Sequence, residues 1–307
     1  MIRGQALHTS PLVRVIRFDH PPDRAHRDPA EEIASEHAAS FIERGLFEVR
    51  AGGRVWPMGP GSLFVTHPGF AYRCRHAAAS PDDVSLSVHF DPALVDEVRA
   101  ATGRRWDRAR PCRPVTNRLA YLRARLVGAA GGGMSAMEVV PLAGELVAAI
   151  DGDPGGTRLF RAAQLGWYAR RVDLARELMA SRFAEALSLD DVAREVGMSP
   201  FHFSRVFREL AGAPPHRYLL RIRLGHAARR LREGGGVTDT CFASGFGNLS
   251  HFIRSFRRAY GVSPSHYGSG RRGEMSKKAQ AGVDAAPYSP AHHGHIKRRM
   301  PCTTTSA

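Results

Sequence analysis

Cysteine is scarce and scattered. Cys74, Cys112, Cys241 and Cys302 are the four in 307 residues, and no two stand in a C-x-x-C spacing. That argues against a disulfide framework and fits a reduced chain with incidental thiols. Lysine is nearly missing too, with three among 44 basic residues; this is read as the bias of a GC-rich coding genome rather than as function. The first 18 residues carry Arg3, Arg14 and Arg17 and lack the apolar centre of a secretory signal. No run approaches the roughly 18 apolar residues of a membrane span. The expectation is a soluble, cytoplasmic protein with no membrane partner.

Positive charge is abundant. The formal net charge is +15 and the sequence pI about 10.7, a balance that favours polyanionic partners. It is unevenly spread. Residues 1–169 carry a net +3, residues 170–270 a net +7 (sixteen basic against nine acidic), and residues 271–307 a net +5. A chain of this length accommodates two cores.

The pattern changes along the chain. Leu12–Phe18 alternates as a strand does, and Gly45–Phe90 is cut by turn signals at Gly52-Gly53, Gly59-Pro60-Gly61, Pro68-Gly69 and Pro81-Asp82-Asp83. Between these lie Ser62–Thr66 and Val84–Phe90, as in a small antiparallel sandwich or barrel. From Pro114 the spacing turns helical: Leu119, Leu122 and Leu126, then Val139, Leu142, Leu146 and Ile150, with Gly131–Gly133 between them. Asp151–Gly156 reads as a linker, and Leu165 to Tyr267 as helix and turn. The last segment, poor in large apolar residues, is expected to be a disordered basic tail. His292, His293 and His295 in it are assigned to composition rather than to a metal site.

One short module is written twice. Ser199–Arg208, followed by Gly212, Pro215 and Tyr218, corresponds at an offset of 49 to Asn248–Arg257, followed by Gly261, Pro264 and Tyr267. Ahead of each lies a small residue and a glycine, Ala193 with Gly197 and Cys241 with Gly245, as a helix-turn-helix requires. Ser188 and Asp191 have capping-box spacing. Ser199 before Pro200, and Asn248, mark the starts of the second helices. Phe203, Val206, Phe207 and Leu210 form an inward stripe in the first copy, matched by Phe252, Ser255, Phe256 and Ala259 in the second. Phe201, Ser204, Arg205 and Arg208 point outward, as do Ser250, Ile253, Arg254 and Arg257. Arginine bridges guanine or phosphate, serine bonds several base edges, and apolar groups meet the thymine methyl. With Ser199 and Asn248 at the helix starts, these ten residues are the candidate contacts to double-stranded DNA. Pro215–Leu231 reads as one long helix spacing the two copies by about a helical turn, roughly 34 Å.

Residues 170–267 resemble the DNA-binding domain of AraC/XylS-type transcription regulators, through Leu189–Arg208 and then Gly245-Phe246, Ser250–Phe252, Arg254, Phe256–Arg258 and Gly261–Tyr267. The resemblance implies two helix-turn-helix units on a linking helix and RNA polymerase as a partner, most often in activation. Thr240 and Cys241 depart from the family's usual aliphatic residue and alanine; Leu249 and Ile253 stand where polar residues are common. The family's other domain usually senses or dimerises, often as a cupin-like barrel. The fold class expected is therefore α+β, with an N-terminal cupin-like antiparallel β barrel with helices and a C-terminal all-α double helix-turn-helix domain. Its parts are 1–150 (sensor and dimerisation), 151–164 (linker), 165–268 (DNA-binding) and 269–307 (tail). A small-molecule effector is placed at Phe70, Tyr72 and Arg73, and a homodimer through the helices of 115–150. His67, His76 and His89 lack tight ligand spacing, so no metal, cofactor or catalytic residue is assigned, and Cys74 is read as a lone half-buried thiol. The rivals are a cupin-type metalloenzyme fused to a DNA-binding module and a nonspecific architectural DNA binder.

Overall fold

The computed structural model describes residues 3–20, 30–76, 82–103, 106–131, 136–150 and 159–269. Residues 270–307, read as a tail, and 151–158 of the expected linker lie outside the described residues. The N-terminal half holds β1 (Arg3–Thr9), β2 (Val13–His20), β3 (Glu32–Ile33), β4 (His37–Arg44), β5 (Phe47–Ala51), β6 (Arg54–Met58), β7 (Ser62–Thr66), β8 (Ala71–His76) and β9 (Asp83–Phe90). Helix α1 (Pro92–Thr102) follows, then β10 (Cys112–Pro114), α2 (Asn117–Gly131) and α3 (Ala136–Ile150).

These strands form two antiparallel sheets and not one closed barrel. The larger has the order β1-β2-β9-β4-β7-β10, the smaller β3-β8-β5-β6. Alternation along the central strands assigns the faces. Ile42 and Phe64 pack against Val49 and Met58 of the smaller sheet. Their neighbours Phe41, Leu63 and Val65 turn the other way, into a core shared with α2 and α3. The helices of 115–150 therefore cover the larger sheet.

The C-terminal half is helical: α4 (Ala162–Ser181), α5 (Leu189–Glu195), α6 (Pro200–Ala211), α7 (Pro215–Arg232), α8 (Val237–Ala243), α9 (Leu249–Tyr260) and α10 (Pro264–Gly268). Helix α4 begins inside the stretch read as linker, so residues 162–164 are helical. Among the described residues no helix is long and apolar enough to cross a membrane.

The cores do not follow the two halves. One runs without interruption from Val13 in β2, through Leu122 and Leu146, to Phe203, Phe207 and Ile222. A second is confined to Leu224 and the residues beyond it, with Cys241, Phe252, Phe256 and Tyr267. Helix α7 contributes to both, and the change falls between Ile222 and Leu224.

Polar groups reinforce the first core where α2 and α3 meet α4 and α6. Arg176 on α4 forks onto Glu145 on α3, with Nη2–Oε1 at 2.6 Å and Nη1–Oε2 at 3.3 Å, and its guanidinium lies 5.3 Å from the Tyr218 ring. The Tyr121 hydroxyl donates to Asp173 at 2.5 Å, and Asn117 bonds Glu209 on α6. Burial alone would raise the pKa of Glu145. The charge and hydrogen bonds of Arg176, helped by Arg125 and Arg118, outweigh it and hold the carboxyl below its ordinary value of 4.5.

A buried pair that loses one member leaves an uncompensated charge. Arg176→Met should cost about 3–5 kcal/mol of unfolding free energy, and pairing it with Glu145→Leu should recover much of the loss, measured by denaturant unfolding. Because the folded pKa of Glu145 is depressed, the pair's stabilisation is complete above about pH 4.5 and fades as pH falls through the lower folded value. The double variant should lack that acid-side loss; a full loss in both variants would show that the pair does not hold the junction.

Candidate nucleic-acid interface

Two helical pairs, α5 with α6 and α8 with α9, present one helix each to solvent. Local sequence sets their ends. The Ser188 side chain accepts from the Asp191 backbone while the Asp191 carboxylate accepts from the Ser188 N–H, completing the capping box at α5. The turns pass through Gly197 at φ +67° and Gly245 at φ +77°, the left-handed region that favours glycine. Gly212 and Gly261 close α6 and α9 in the same conformation.

The caps of the two exposed helices differ. Asn248 accepts from the His251 N–H at 2.9 Å through its side-chain oxygen. Ser199 holds the corresponding position at α6 with no side-chain cap bond, so the expected serine cap reduces to backbone geometry with Pro200 in the first turn.

The inward stripe of α6 is as expected, with Phe203, Val206, Phe207 and Leu210 fully buried. In α9 Phe252 and Phe256 are buried, but Ser255 is half-buried and Ala259 exposed, contrary to the expected stripe. Tyr260 takes the last inward place: its hydroxyl donates to the Leu224 carbonyl at 3.3 Å and its ring lies 4.5 Å from Phe256. A large ring one residue later fills the space that Ala259 is too small to fill.

On the outward faces Phe201, Arg205 and Arg208 of α6 are exposed, and Ser204 is half-buried. Phe201 is 85% exposed, a large apolar surface left to water. Ser250, Ile253, Arg254 and Arg257 of α9 are exposed. Residues 201, 205 and 208 and residues 250, 254 and 257 keep the same i, i+4, i+7 spacing, so each set lies along one helical face. Arg205, Arg208, Arg254 and Arg257 make no ion pair with a described residue. Glu209, the acid on α6, is turned toward Asn117. The two faces thus carry uncompensated guanidinium charge beside small hydroxyl and apolar groups, the mixture that suits phosphates and base edges.

Arg258 belongs with this set and was missed. It is exposed, lies four residues beyond Arg254 and makes no ion pair with a described residue; that i+4 spacing was the available signal. Arg223 on α7 was also missed, because its role depends on a distant loop. Its Nε donates to the Phe183 carbonyl at 2.8 Å and its Nη2 to the Glu185 carbonyl at 2.7 Å. Three residues on, His226 stacks on Phe183 at 3.8 Å, and burial together with Arg229 pushes its pKa down to about 4.

The N-terminal candidates are already engaged. Phe70 and Tyr72 stack at 6.0 Å and pack against Phe64; the Tyr72 hydroxyl donates to Glu32 at 2.9 Å, and Arg73 faces Glu31 at 3.8 Å. His76 pairs with Asp83 at 2.9 Å and His89 with Glu36 at 3.0 Å, while His67 contacts the Pro68 carbonyl. No group of three or more His, Cys, Asp or Glu able to hold a metal ion occurs among the described residues. Burial pushes the Cys74 thiol up to about 12, so at neutral pH it is protonated and a poor nucleophile.

Two stability measurements follow from these local differences. Asn248→Ala removes a made cap and should cost about 1 kcal/mol, whereas Ser199→Ala, which removes none, should cost a few tenths at most; equal losses in thermal unfolding would contradict the assignment. Thr240 is fully buried, and its Oγ1 has no hydrogen-bond partner among the described residues. Thr240→Val, of nearly the same shape, should raise stability by about 1 kcal/mol by removing a desolvated hydroxyl. A destabilised Thr240→Val protein would mean the hydroxyl has a partner.

Residues 192–270 match a family model described as a helix-turn-helix domain. The HTH-type transcriptional activator RhaS of Escherichia coli is 34% identical over 106 residues, covering 34% of this chain and 38% of RhaS. The match thus spans about two fifths of the length of that curated relative. Among solved structures, a regulator with an AraC-type DNA-binding domain from Chromobacterium violaceum is 28% identical and covers 34% of this chain and 96% of that one, with a TM-score of 0.32. ToxT from Vibrio cholerae aligns over 87% of this chain and 99% of its own at 10% identity and a TM-score of 0.36. Superpositions that loose carry no argument about either half, so the assignment rests on the sequence matches. Residues 192–270 are thus a helix-turn-helix domain, and through this segment the chain is similar to transcription regulators of the AraC/XylS type.

Proposed function

We propose that the chain is a sequence-specific DNA-binding transcription regulator, with α6 and α9 as recognition helices in successive major grooves. The observation that carries this reading is the pair of matched, uncompensated cationic faces on one connecting helix. Helix α7 has 18 residues and so spans about 27 Å at 1.5 Å per residue, comparable to the roughly 34 Å between successive grooves on one side of a duplex. Arg205, Arg208, Arg254 and Arg257 contact guanine edges or phosphates; Ser204 and Ser250 reach base edges; Phe201 and Ile253 meet thymine methyls. Ser199 and Asn248 sit at helix N-termini, where backbone N–H groups attract phosphate. The Asn248 oxygen is committed to its cap, which leaves the amide NH2 to donate.

The likeness to the transcriptional activator RhaS supports activation as the direction of control; RNA polymerase as the partner is what the family resemblance implies. Residues 1–150 serve as a cupin-like sensor and dimerisation domain, supported by two antiparallel sheets packed face to face. A small-molecule effector at Phe70, Tyr72 and Arg73 would have to compete with Glu31 and Glu32 for the tyrosine and the arginine. Titration with candidate ligands, read by tyrosine fluorescence, tests that site.

The central experiment selects the preferred duplex from a random pool and compares it with random DNA. Arg205→Ala should lose about 1–3 kcal/mol on the selected duplex and much less on random DNA if Arg205 reads a base. Equal losses on both would reassign it to phosphate. A wild-type protein with the same affinity for every duplex would replace the specific regulator by an architectural binder.

A further inference from the structure

We propose that the corner between α4 and α5, residues 182–187, clamps the two helix-turn-helix units at a fixed separation, with Arg223 as the positioning residue. Three contacts converge there, two from α7 and one from the second unit. From α7, the Arg223 guanidinium donates to both the Phe183 and Glu185 carbonyls. Also from α7, His226 lies flat on the Phe183 ring, the planes 14° apart. From the second unit, Gly245 meets the corner backbone. A Cβ at that position would stand 2.6 Å from the Phe183 oxygen, 2.9 Å from Ala184 Cα and 3.0 Å from Arg223 Nε. The glycine in the turn of the second unit thus serves a close approach as well as its φ of +77°.

The corner is itself braced. Arg182 donates to Glu185 at 2.8 Å and to Glu195 on α5 at 2.6 Å. Elsewhere the two units stand apart. No helix of the first packs extensively on a helix of the second among the described residues. A cleft of about 350 Å³, lined by Met179, Leu187, Leu219 and Phe246 among others, opens between them beside the clamp. The hydrophobic cores also divide on either side of Arg223, at Ile222 and Leu224. Without the corner, only the continuity of α7 would set how the second unit is turned relative to the first. With it, the second recognition helix is held where its half-site must be, which turns the second contact into an intramolecular one at high effective concentration.

This inference rests on the two-groove reading above, and the test separates the two. Duplexes carrying the selected site with its natural half-site spacing, and with one base pair inserted or removed, displace the second half-site by about 3.4 Å and turn it around the axis. Wild type should lose about tenfold or more in affinity on either altered duplex, the penalty of a rigid two-site reader. Arg223→Ala should bind the natural spacing more weakly and show less than about a threefold difference among the three duplexes. Arg223→Lys keeps the charge but not the fork across two carbonyls, and should flatten the profile as well. A weakened fold would lower affinity on all three duplexes in proportion; only a loosened clamp removes the dependence on spacing. A sharp wild-type profile retained in Arg223→Ala overturns the proposal.

The second readout needs no DNA. Spin labels introduced through a non-cysteine chemistry at positions 194 and 258, both exposed, report the distance distribution between the units. It should be narrow in wild type and broadened in Arg223→Ala and Arg223→Lys. Equal widths overturn the clamp. A narrow wild-type distribution without any spacing preference overturns the two-groove reading and leaves the clamp standing.

Discussion

Helix α7 belongs to two cores at once, and the rest of the molecule is arranged around that constraint. Its first half, through Tyr218 and Ile222, is packed into the core that begins in β2. Its second half, through Leu224, Ala227, Ala228 and Leu231, is packed into the core of the second unit. A helix interior carries about 1.5 Å per residue with little freedom to bend, so a displacement of either core is transmitted along α7 to the other. The first recognition helix is consequently part of the same packed body as the sheets, while the second is joined to that body by a helix and a loop corner.

This asymmetry bears on how the N-terminal half would influence DNA. The Arg176–Glu145 fork, Tyr121–Asp173 and Asn117–Glu209 tie α2 and α3 to α4 and α6. Close-packed interiors shift between discrete arrangements and do not deform smoothly. A change in the sheets that moved α2 would therefore carry α6 with it as a block. What such a change alters is the pose of α9 relative to α6. The corner at 182–187, continuous with α4 of the first body and met by Gly245 of the second unit at Phe183 and Ala184, lies where that pose is decided.

Much of the candidate surface on α6 and α9 is legible in the sequence because it depends on short-range spacing. The capping box at Ser188, the glycine turns, the buried stripe of α6 and the exposed arginines repeat at fixed offsets, and helix geometry converts offsets directly into faces. The misreadings arose where a neighbour outside the window decides. Ala259 was placed inward by its offset from Leu210, yet Tyr260 reaches the Leu224 carbonyl and fills the space instead. Ser199 has the right identity for a cap and makes no cap bond. The sheets were harder still. Turn signals located β7 and β9 but not β4, whose partners are 22 to 53 residues away (Phe41 with Leu63, His37 with Phe90), and a barrel and a pair of facing sheets leave the same alternation.

The shared core also changes what the two repeated units can be. Their scaffolds match, and a duplicated pair would be expected to contribute equally. In this chain the first unit is buried on one side against α2 and α4, and its exposed face carries Phe201, the most exposed of the large apolar residues described. The second is backed by α7 and the corner, and its face carries Ile253, Arg254, Arg257 and Arg258. Rigid support lets a side chain be held in one orientation, which base-edge contacts require. A less supported helix with a denser arginine row is better matched to phosphates, whose positions tolerate small shifts. The physical expectation is therefore that α6 carries more of the sequence discrimination and α9 more of the charge-driven affinity. That division follows from the packing together with the additional arginine on α9, Arg258, which α6 lacks.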